Sequence, residues 1–464
     1  MTNFKSIKQY SMKPPYINSV FFSILALLAV VCPDRALGQQ DRPPNVILIL
    51  ADDMGLGDVA LFNGGLNRTP HIDRLAGESA WFSRAYSGSS VCTPSRAALL
   101  TGRYPHRGGA VTLNMQRYPE LSRLHKNEKT MGDVFTENGY VTGIVGKWHI
   151  GDGEEYHPLQ RGFQEFAGFK GYDVPDSYFN YRLDIQGTYQ EFTGQYLTDN
   201  LTERAISFVE RHRDEPFFLH LAHYAPHRPL SAPEELIQSY RQKGFNDSTA
   251  TVYAMIEVMD KGIGDLLDVL DSLELRENTI VIFASDNGPD PLEGERFNHE
   301  MRGTKYTVYE GGIHVPFLVN WPGRVAPGEH DEVIHFTDVL PTLAELSGLE
   351  LPAGLELDGG SMAGLLFNKE SNLPQYRFWQ WNRGVPYYSH NAAILEGDWK
   401  LVRPYVLREV PMGESAERPV LYNLKEDPQE QNDLSEQEPL RYNIMRVKLE
   451  KWSREVEFSR LHHK

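Results

Sequence analysis

Short apolar runs recur along the chain, and each run is followed by polar residues. The first, residues 45–50 (NVILIL), precedes Ala51, Asp52 and Asp53. Apolar runs without polar alternation are typical of strands that are buried on both faces of a parallel sheet. Similar runs occupy residues 141–145, 217–221 and 279–283. Their recurrence constrains the chain to an α/β architecture.

Amphipathic helical patterns lie between these runs. In about residues 248–273, apolar side chains recur every three or four positions. A second pattern covers about residues 198–212 and ends before Pro216. Alternation of strands and helices implies crossover connections. We therefore predict a central, mostly parallel sheet sandwiched by helices.

The pattern changes after about residue 370. Short strand-like segments are separated by turns, and a helical pattern follows at about residues 439–458. This predicts a large α/β domain at residues 42–370 and a small α+β subdomain at residues 371–464. The strand-like segments are residues 376–381, 392–395 and 399–403, and residues 421–424 precede a polar, acidic stretch.

Residues 1–38 have the pattern of a secretory signal peptide. A stretch with three lysines precedes an apolar segment at residues 20–31, and Ala36-Leu37-Gly38 is a small-x-small cleavage site. The apolar segment is short for a membrane span. We expect an exported protein, periplasmic or secreted, without a stable membrane span; an uncleaved anchor is the alternative.

The net charge of the chain is −17 at pH 7. A charge of this sign and size argues against nucleic acid as a partner. Any site for an anionic ligand must therefore be a local positive pocket in a negative field.

Polar side chains directly follow four of the predicted strands. Ligands of open α/β sheets bind beyond the carboxyl ends of the strands, so we expect these side chains to meet at one edge. They are Asp52, Asp53, Lys147, His149, His223, His227, Asp286 and Asn287.

Asp52, Asp53, Asp286 and Asn287 offer three carboxylates and an amide oxygen. Such oxygen donors suit calcium or magnesium and not zinc, and the number of protein oxygens favours calcium over magnesium. Two adjacent buried aspartates also need a nearby cation to remain ionised. The alternative is that these residues only form turns and helix caps.

Cys92 is the only cysteine outside the predicted signal peptide, so an intramolecular disulfide is excluded in the exported chain. Its neighbour Pro94 suits the first turn of a helix. Cys92 and Arg96 are four residues apart and would share a face of that helix. A helix N-terminus beside a guanidinium is a favourable anion site. A small buried apolar residue is the alternative for Cys92.

Four basic side chains complete the set of candidates. Lys147 and His149 are two residues apart, and in an extended segment both would point the same way. His227 lies between two prolines that stiffen its loop, with His223 as a competitor in the same loop. Lys305 lies on a glycine-containing loop. Solvated surface positions are the alternative for all of them.

Together these segments resemble the formylglycine-dependent (type I) sulfatases of the alkaline-phosphatase-like superfamily. The resemblance covers residues 44 to about 348, and it departs at His314, where relatives commonly carry arginine. The matching motifs are Ala51-Asp52-Asp53-Met54-Gly55, Cys92-Thr93-Pro94-Ser95-Arg96, Leu100-Thr101-Gly102-Arg103, Gly146-Lys147-Trp148-His149, Pro226-His227, Ser285-Asp286-Asn287-Gly288 and Arg302-Gly303-Thr304-Lys305.

The resemblance implies a sulfuric ester hydrolase. A maturation enzyme would convert Cys92 to formylglycine, whose hydrate carries the nucleophilic hydroxyl. Calcium would be held by Asp52, Asp53, Asp286, Asn287 and the modified residue 92. The other implied roles are charge stabilisation by Arg96 and Lys147, proton removal by His149, sulfate binding by Lys305, and protonation of, or hydrogen bonding to, the leaving oxygen by His227.

Export predicts a sulfated polysaccharide, its fragments or a small sulfate ester as substrate. Two other functions stay open: a phosphate or phosphonate ester hydrolase of the same superfamily, and a non-catalytic relative that binds sulfated glycans. Seven aromatic residues are candidates either for stacking on sugar rings or for the core. They are Tyr172, Tyr178, Tyr181, Trp379, Trp381, Tyr387 and Tyr388.

Overall fold

The computed structural model describes residues 42–113, 116–171, 175–382, 391–404 and 418–463. The expected signal peptide lies outside these ranges. Residues 43–464 belong to one compact unit. Within the described ranges, no helix combines the length and the apolar character that a membrane crossing requires.

A sheet of ten strands forms the centre of this unit. The strands of the described residues are β1 (Asn45–Ala51), β2 (Ala80–Phe82), β3 (Ala85–Tyr86), β4 (Val141–Lys147), β5 (Glu165–Phe169), β6 (Asn180–Ile185), β7 (Thr188–Thr193), β8 (Phe217–Ala222), β9 (Thr279–Ser285), β10 (Phe317–Asn320), β11 (Gly328–His330), β12 (Ile334–His335), β13 (Tyr376–Gln380), β14 (Ala392–Glu396), β15 (Trp399–Arg403) and β16 (Val420–Asn423).

The strand order across the large sheet is β11-β2-β10-β9-β1-β8-β4-β5-β6-β7. The five strands from β9 to β5 in this order are parallel to one another. β10 and β6 run antiparallel to the neighbours that flank this block. The prediction of a mostly parallel sheet is therefore confirmed.

The large sheet is covered on both faces by helices, and the described residues contain twelve α-helices in all. They are α1 (Ala60–Asn63), α2 (Pro70–Gly77), α3 (Cys92–Thr101), α4 (Pro105–Gly108), α5 (Met131–Glu137), α6 (Leu197–Arg211), α7 (Glu234–Arg241), α8 (Asp247–Ser272), α9 (Glu310–Ile313), α10 (Val339–Ser347), α11 (Ala363–Leu366) and α12 (Pro439–Leu461).

The side chains of β1 show why the sheet needs both helical layers. Ile47 and Ile49 pack into the same apolar cluster as residues of α6 and α8. Leu48 and Leu50 pack into a second cluster with residues of α3, α5 and α10. Because successive side chains of a strand point to opposite faces, a strand that is apolar throughout requires a cover on each side.

The C-terminal segments form a second, antiparallel sheet in the order β13-β14-β15-β16. Ile394 and Leu401 lie on its one face and pack with Leu449 of α12. Leu395 and Val402 lie on the other face and share a cluster with residues that precede residue 371. The predicted α+β subdomain is thus present, and its boundary at residues 370 and 371 stays a prediction.

A buried group of charges joins this small sheet to the rest of the protein. Lys400 of β15 is completely buried, and its Nζ lies 2.7 Å from Glu310 Oε1 and 2.9 Å from Glu430 Oε1. Glu430 Oε2 also accepts a hydrogen bond from the Glu310 amide at 2.7 Å. Burial, opposed by Lys400, raises the pKa of Glu430 to about 7. Lys400 is therefore the cation on which both carboxyl groups depend.

We expect Lys400→Met to lower the free energy of unfolding by about 3–5 kcal/mol, because it leaves two buried carboxyl groups without their cation. Chemical denaturation at pH 7 measures this change. Lys425→Met, at an exposed position in the same subdomain, is the matched control and should change stability by less than about 0.5 kcal/mol. Equal stabilities of the two variants would contradict the role given to Lys400.

Candidate active site

The carboxyl ends of four neighbouring strands carry the candidate residues. Asp52 follows β1 and Asp286 follows β9, and the Asp286 amide donates to the Ala51 carbonyl at 3.1 Å. The Asp52 amide donates to Ala225 O at 3.1 Å, which fixes the loop after β8 beside the same point. Lys147 is the last residue of β4. The parallel register therefore brings four loops to one edge of the sheet.

Three buried carboxylates at this edge are each paired with a base. The cations that the adjacent Asp52 and Asp53 were expected to need are present as protein side chains, so these pairs do not by themselves require a metal ion. The pairs are Lys147 Nζ with Asp52 Oδ2 at 2.5 Å, Lys305 Nζ with Asp53 Oδ2 at 2.6 Å, and Arg96 Nε with Asp286 Oδ2 at 2.8 Å.

The carboxyl groups respond differently to this environment. Burial alone would raise the pKa of Asp53, but the charges of Lys305, His227 and Lys147 lower it below its ordinary value. Burial and the nearby Asp52 charge raise the pKa of Asp286 to about 6, against the opposing charge of Arg96. An additional cation would therefore stabilise the ionised form of Asp286 more than that of Asp53.

Cys92 is the first residue of α3 and faces the two adjacent aspartates. Its Sγ lies 3.4 Å from Asp52 Oδ1 and 3.8 Å from Asp53 Oδ1. One turn later Arg96 reaches the same cluster, as the four-residue spacing predicted. Burial and the Asp286 charge raise the pKa of the Cys92 thiol well above its usual value. The thiol is therefore protonated and unsuited to act as a thiolate nucleophile.

Lys147 and His149 both lie at the site, but they do not belong to one extended segment as predicted. β4 ends at Lys147, and His149 has a φ of 60°, so the expectation of one extended segment is wrong. The His149 amide donates to Lys170 O at 2.8 Å, which holds this turn. His149 Nδ1 is buried without a partner among the described residues. Burial, with the charges of Lys147 and Arg96, lowers the pKa of His149 well below its usual value.

Gly146 permits the close approach of β4 and β8 next to Lys147. Its φ is 107°, and a Cβ at this position would lie 1.9 Å from Ala222 O. A side chain would push β4 away from its neighbour, and Lys147 with it. The glycine of the Gly146-Lys147-Trp148-His149 motif is thus required by the backbone.

The His227 ring is oriented by its own loop. Nδ1 lies 2.6 Å from the carbonyl oxygen of Arg228 and donates to it, so Nε2 faces Asp53 Oδ2 at 3.6 Å. Burial and the Lys147 charge lower the pKa of His227 to about 3. The competitor His223 is completely buried, and neither ring nitrogen has a partner among the described residues.

Asn287 provides the test of whether these residues suit a metal ion. Its Nδ2 donates to Asp53 Oδ1 at 2.7 Å and to Gly288 O at 2.9 Å. Its Oδ1 is buried and has no donor among the described residues. Ligand atoms of Asp52, Asp53, Cys92 and His227 lie within 4.8 Å of one another. An amide oxygen without a donor beside carboxylate oxygens fits a hard divalent cation.

Several residues outside the set predicted from the sequence support this arrangement. Arg296 donates from Nη2 to Asp53 O at 3.0 Å and pairs with Asp58 at 3.0 Å. Asp290 lies 3.8 Å from Lys305 Nζ. Asp290 could have been found, because it follows the same strand as Asp286; no local signal identifies Arg296.

The described aromatic candidates for sugar stacking lie in the interior. Tyr178, Tyr181, Trp379 and Trp381 are each exposed by 4% or less. The structure thus favours the core interpretation for these four. The other three, Tyr172, Tyr387 and Tyr388, lie outside the described residues.

Comparisons with known proteins extend these observations. The Sulfatase family model matches residues 44–349. A second family model, described as N-sulphoglucosamine sulphohydrolase, C-terminal, matches residues 300–456. An N-acetylgalactosamine-6-O-sulfatase of Bacteroides thetaiotaomicron is 29% identical, over 87% of this chain and 91% of its own length. Human arylsulfatase A is 34% identical, over 73% of this chain and 70% of its own length.

Solved structures show the same relationship. Ps i-CgsB in complex with k-i-k-neocarrahexaose superposes with a TM-score of 0.77 at 32% identity, over 89% of this chain and 93% of that one. A phosphonate monoester hydrolase of Agrobacterium radiobacter shares the fold, with a TM-score of 0.64 at 20% identity. The chain therefore belongs to the sulfatase family of the alkaline-phosphatase-like superfamily and is a sulfuric ester hydrolase.

Proposed function

We propose that the protein hydrolyses sulfate monoesters of carbohydrates, with a calcium ion held by Asp52, Asp53, Asp286 and Asn287 and with formylglycine in place of Cys92. The observation that carries the proposal is the contact of a buried, protonated thiol with two paired aspartates at the start of α3. A thiol in this state has little reactivity of its own, whereas the aldehyde made from it supplies a hydrated nucleophile.

The basic side chains suit the sulfate group. Lys147, Lys305 and Arg96 are buried and point at one carboxylate cluster, so an anion bound there would contact three fixed cations. Preorganised charges of this kind stabilise a transition state at little reorganisation cost. A bound calcium ion would supply Lewis acidity and withdraw further charge from the sulfate oxygens.

The two histidines suit proton transfers at different atoms. His149 Nδ1 is buried and without a partner among the described residues, and the ring is neutral, so it can accept a proton. His227 donates from Nδ1 to a carbonyl, so only Nε2 can serve the leaving oxygen. The ring is otherwise neutral, so Nε2 must first take up a proton, which Asp53 at 3.6 Å would stabilise.

Carbohydrate is the substrate class that the relatives favour. The Bacteroides thetaiotaomicron relative is an N-acetylgalactosamine-6-O-sulfatase, and the Ps i-CgsB structure contains k-i-k-neocarrahexaose. We extend this class, a sulfated saccharide, to the present protein. A periplasmic or secreted location and a formylglycine-generating maturation enzyme as partner belong to the same proposal.

The test is release of inorganic sulfate from a panel that includes N-acetylgalactosamine 6-sulfate, neocarrageenan oligosaccharides and 4-nitrophenyl sulfate, with 4-nitrophenyl phosphate as the matched phosphate ester. We expect sulfate release from at least one saccharide, and a loss of about 10³-fold or more in Cys92→Ala. Peptide mass spectrometry across residue 92 establishes the modification in the same sample. Faster turnover of the phosphate ester, or saccharide binding without sulfate release by modified protein, would overturn the proposal.

We expect His227→Gln to lower kcat/KM by at least about tenfold more for a saccharide sulfate than for 4-nitrophenyl sulfate. A sugar alkoxide is a poor leaving group and needs a proton, whereas nitrophenolate leaves without one. His223→Gln is the matched control from the same loop and should affect both substrates equally. Equal losses for both substrates in His227→Gln would contradict a role at the leaving oxygen.

We expect calcium to raise the melting temperature of the protein, since a ligand at 100 times its Kd stabilises the folded state by about 2.7 kcal/mol. Asn287→Leu removes the amide oxygen and should abolish this calcium effect. Magnesium at the same concentration should stabilise the protein less. A calcium effect that persists unchanged in Asn287→Leu would place the ion elsewhere.

A further inference from the structure

Arg228 directly follows His227, and its main chain is held on both sides. Its amide donates to Glu293 Oε1 at 2.9 Å. Its carbonyl oxygen accepts from His227 Nδ1 at 2.6 Å and from the Tyr224 hydroxyl at 2.9 Å. The base of the Arg228 side chain is therefore fixed relative to the His227 ring.

The guanidinium is anchored at one nitrogen only. Nη2 lies 3.2 Å from Asp290 Oδ2 and 3.4 Å from the Tyr306 hydroxyl, and all hydrogen bonds that the guanidinium makes within the described residues go through this atom. The Arg228 side chain is 43% exposed, whereas Asp290 is completely buried. The remaining nitrogens therefore belong to the exposed part of the side chain.

Asp290 connects this arginine to the sulfate-binding end of the site. The same oxygen that contacts Arg228 lies 3.8 Å from Lys305 Nζ and accepts from the Tyr306 hydroxyl at 3.0 Å. One buried carboxylate thus holds a fully buried lysine on one side and a half-exposed arginine on the other. Arg228 therefore lies on the exposed side of the site, directly after His227 and joined to Lys305 through Asp290.

We propose that Arg228 is a specificity-determining residue, which binds a second anionic group on the saccharide whose sulfate ester is cleaved. The inference rests on the proposed function and adds the substrate class: saccharides that carry a further sulfate or a carboxylate near the cleaved ester. Guanidinium groups bind both oxyanions through paired N–H donors. Anchoring at Nη2 restricts the side chain before the substrate arrives, which lowers the entropy cost of binding.

The negative net charge of the protein disfavours a polyanionic substrate unless a nearby cation compensates its second anionic group. At a net charge of −17, the mean field repels each additional anion. Lys147, Lys305 and Arg96 are occupied with the buried carboxylates and the cleaved sulfate. A second anion therefore needs a cation of its own at the rim, and Arg228 is placed to supply it.

A surface ion pair without a ligand is the alternative, and the protein contains a suitable comparison. The Arg68 side chain is 48% exposed and pairs with Glu257 at 2.9 Å. Arg68 thus matches Arg228 in exposure, and its partner belongs to α8. Arg68→Gln is therefore the matched control for Arg228→Gln.

Steady-state kinetics on matched substrates test the proposal. Two substrates carry one anionic group: 4-nitrophenyl sulfate and the best monosulfated saccharide of the panel. Two carry a second one: the same saccharide with an additional sulfate, and a disaccharide in which the monosulfated sugar is linked to a uronic acid. We expect Arg228→Gln to lower kcat/KM by about tenfold to a hundredfold on at least one of the two doubly charged substrates. On the singly charged substrates we expect a loss of less than about twofold. Arg228→Lys should retain part of the activity, and Arg68→Gln all of it.

The arms of the experiment separate the outcomes. Loss with the disulfated saccharide alone identifies a sulfate as the second anion, and loss with the disaccharide alone identifies a carboxylate. Equal losses of kcat/KM on all substrates, or no loss on either doubly charged substrate, would overturn the inference. The proposed function would still stand in that case, as long as the variant hydrolyses 4-nitrophenyl sulfate. Calorimetric binding of the same saccharides to Cys92→Ala, with and without Arg228→Gln, must show the same ranking without turnover.

Discussion

The pairing of three buried carboxylates with three bases is the constraint on which the site depends. An isolated carboxylate at the carboxyl edge of this sheet would be too costly to keep ionised. The bases that prevent this cost come from three separated parts of the chain: Arg96 from α3, Lys147 from β4 and Lys305 from a later loop. The parallel sheet, the start of α3 and the Lys305 loop must therefore assemble together.

The C-terminal subdomain contributes to this assembly because it supports the loop that carries Lys305. Arg302 donates to the Tyr422 hydroxyl at 3.0 Å and to Glu430 O at 2.6 Å. Asn391 donates from Nδ2 to Tyr306 O at 2.8 Å and accepts from the Val308 amide at 3.2 Å. The C-terminal subdomain thus fixes the chain on both sides of Lys305.

How far the sequence predicts this structure depends on the range of each interaction. The apolar runs predicted the strands of the sheet, and the spacing of Cys92 and Arg96 predicted their common helix face, because both patterns are local. The left-handed backbone of His149 and the pairing of Lys147 and Lys305 with the aspartates were not predictable, since both depend on loops that tertiary contacts fix. The large separation of Lys400, Glu310 and Glu430 hid their cluster in the same way.

His314 acts on that cluster and not on the carboxylates of the site. Its Nδ1 lies 3.2 Å from Glu310 Oε2, and its ring lies 5.2 Å from that of Tyr86, whose hydroxyl donates to the same oxygen. Unlike a lysine, a histidine carries no permanent charge near neutral pH. Lys400 therefore carries most of the compensation for Glu310 and Glu430 in this protein.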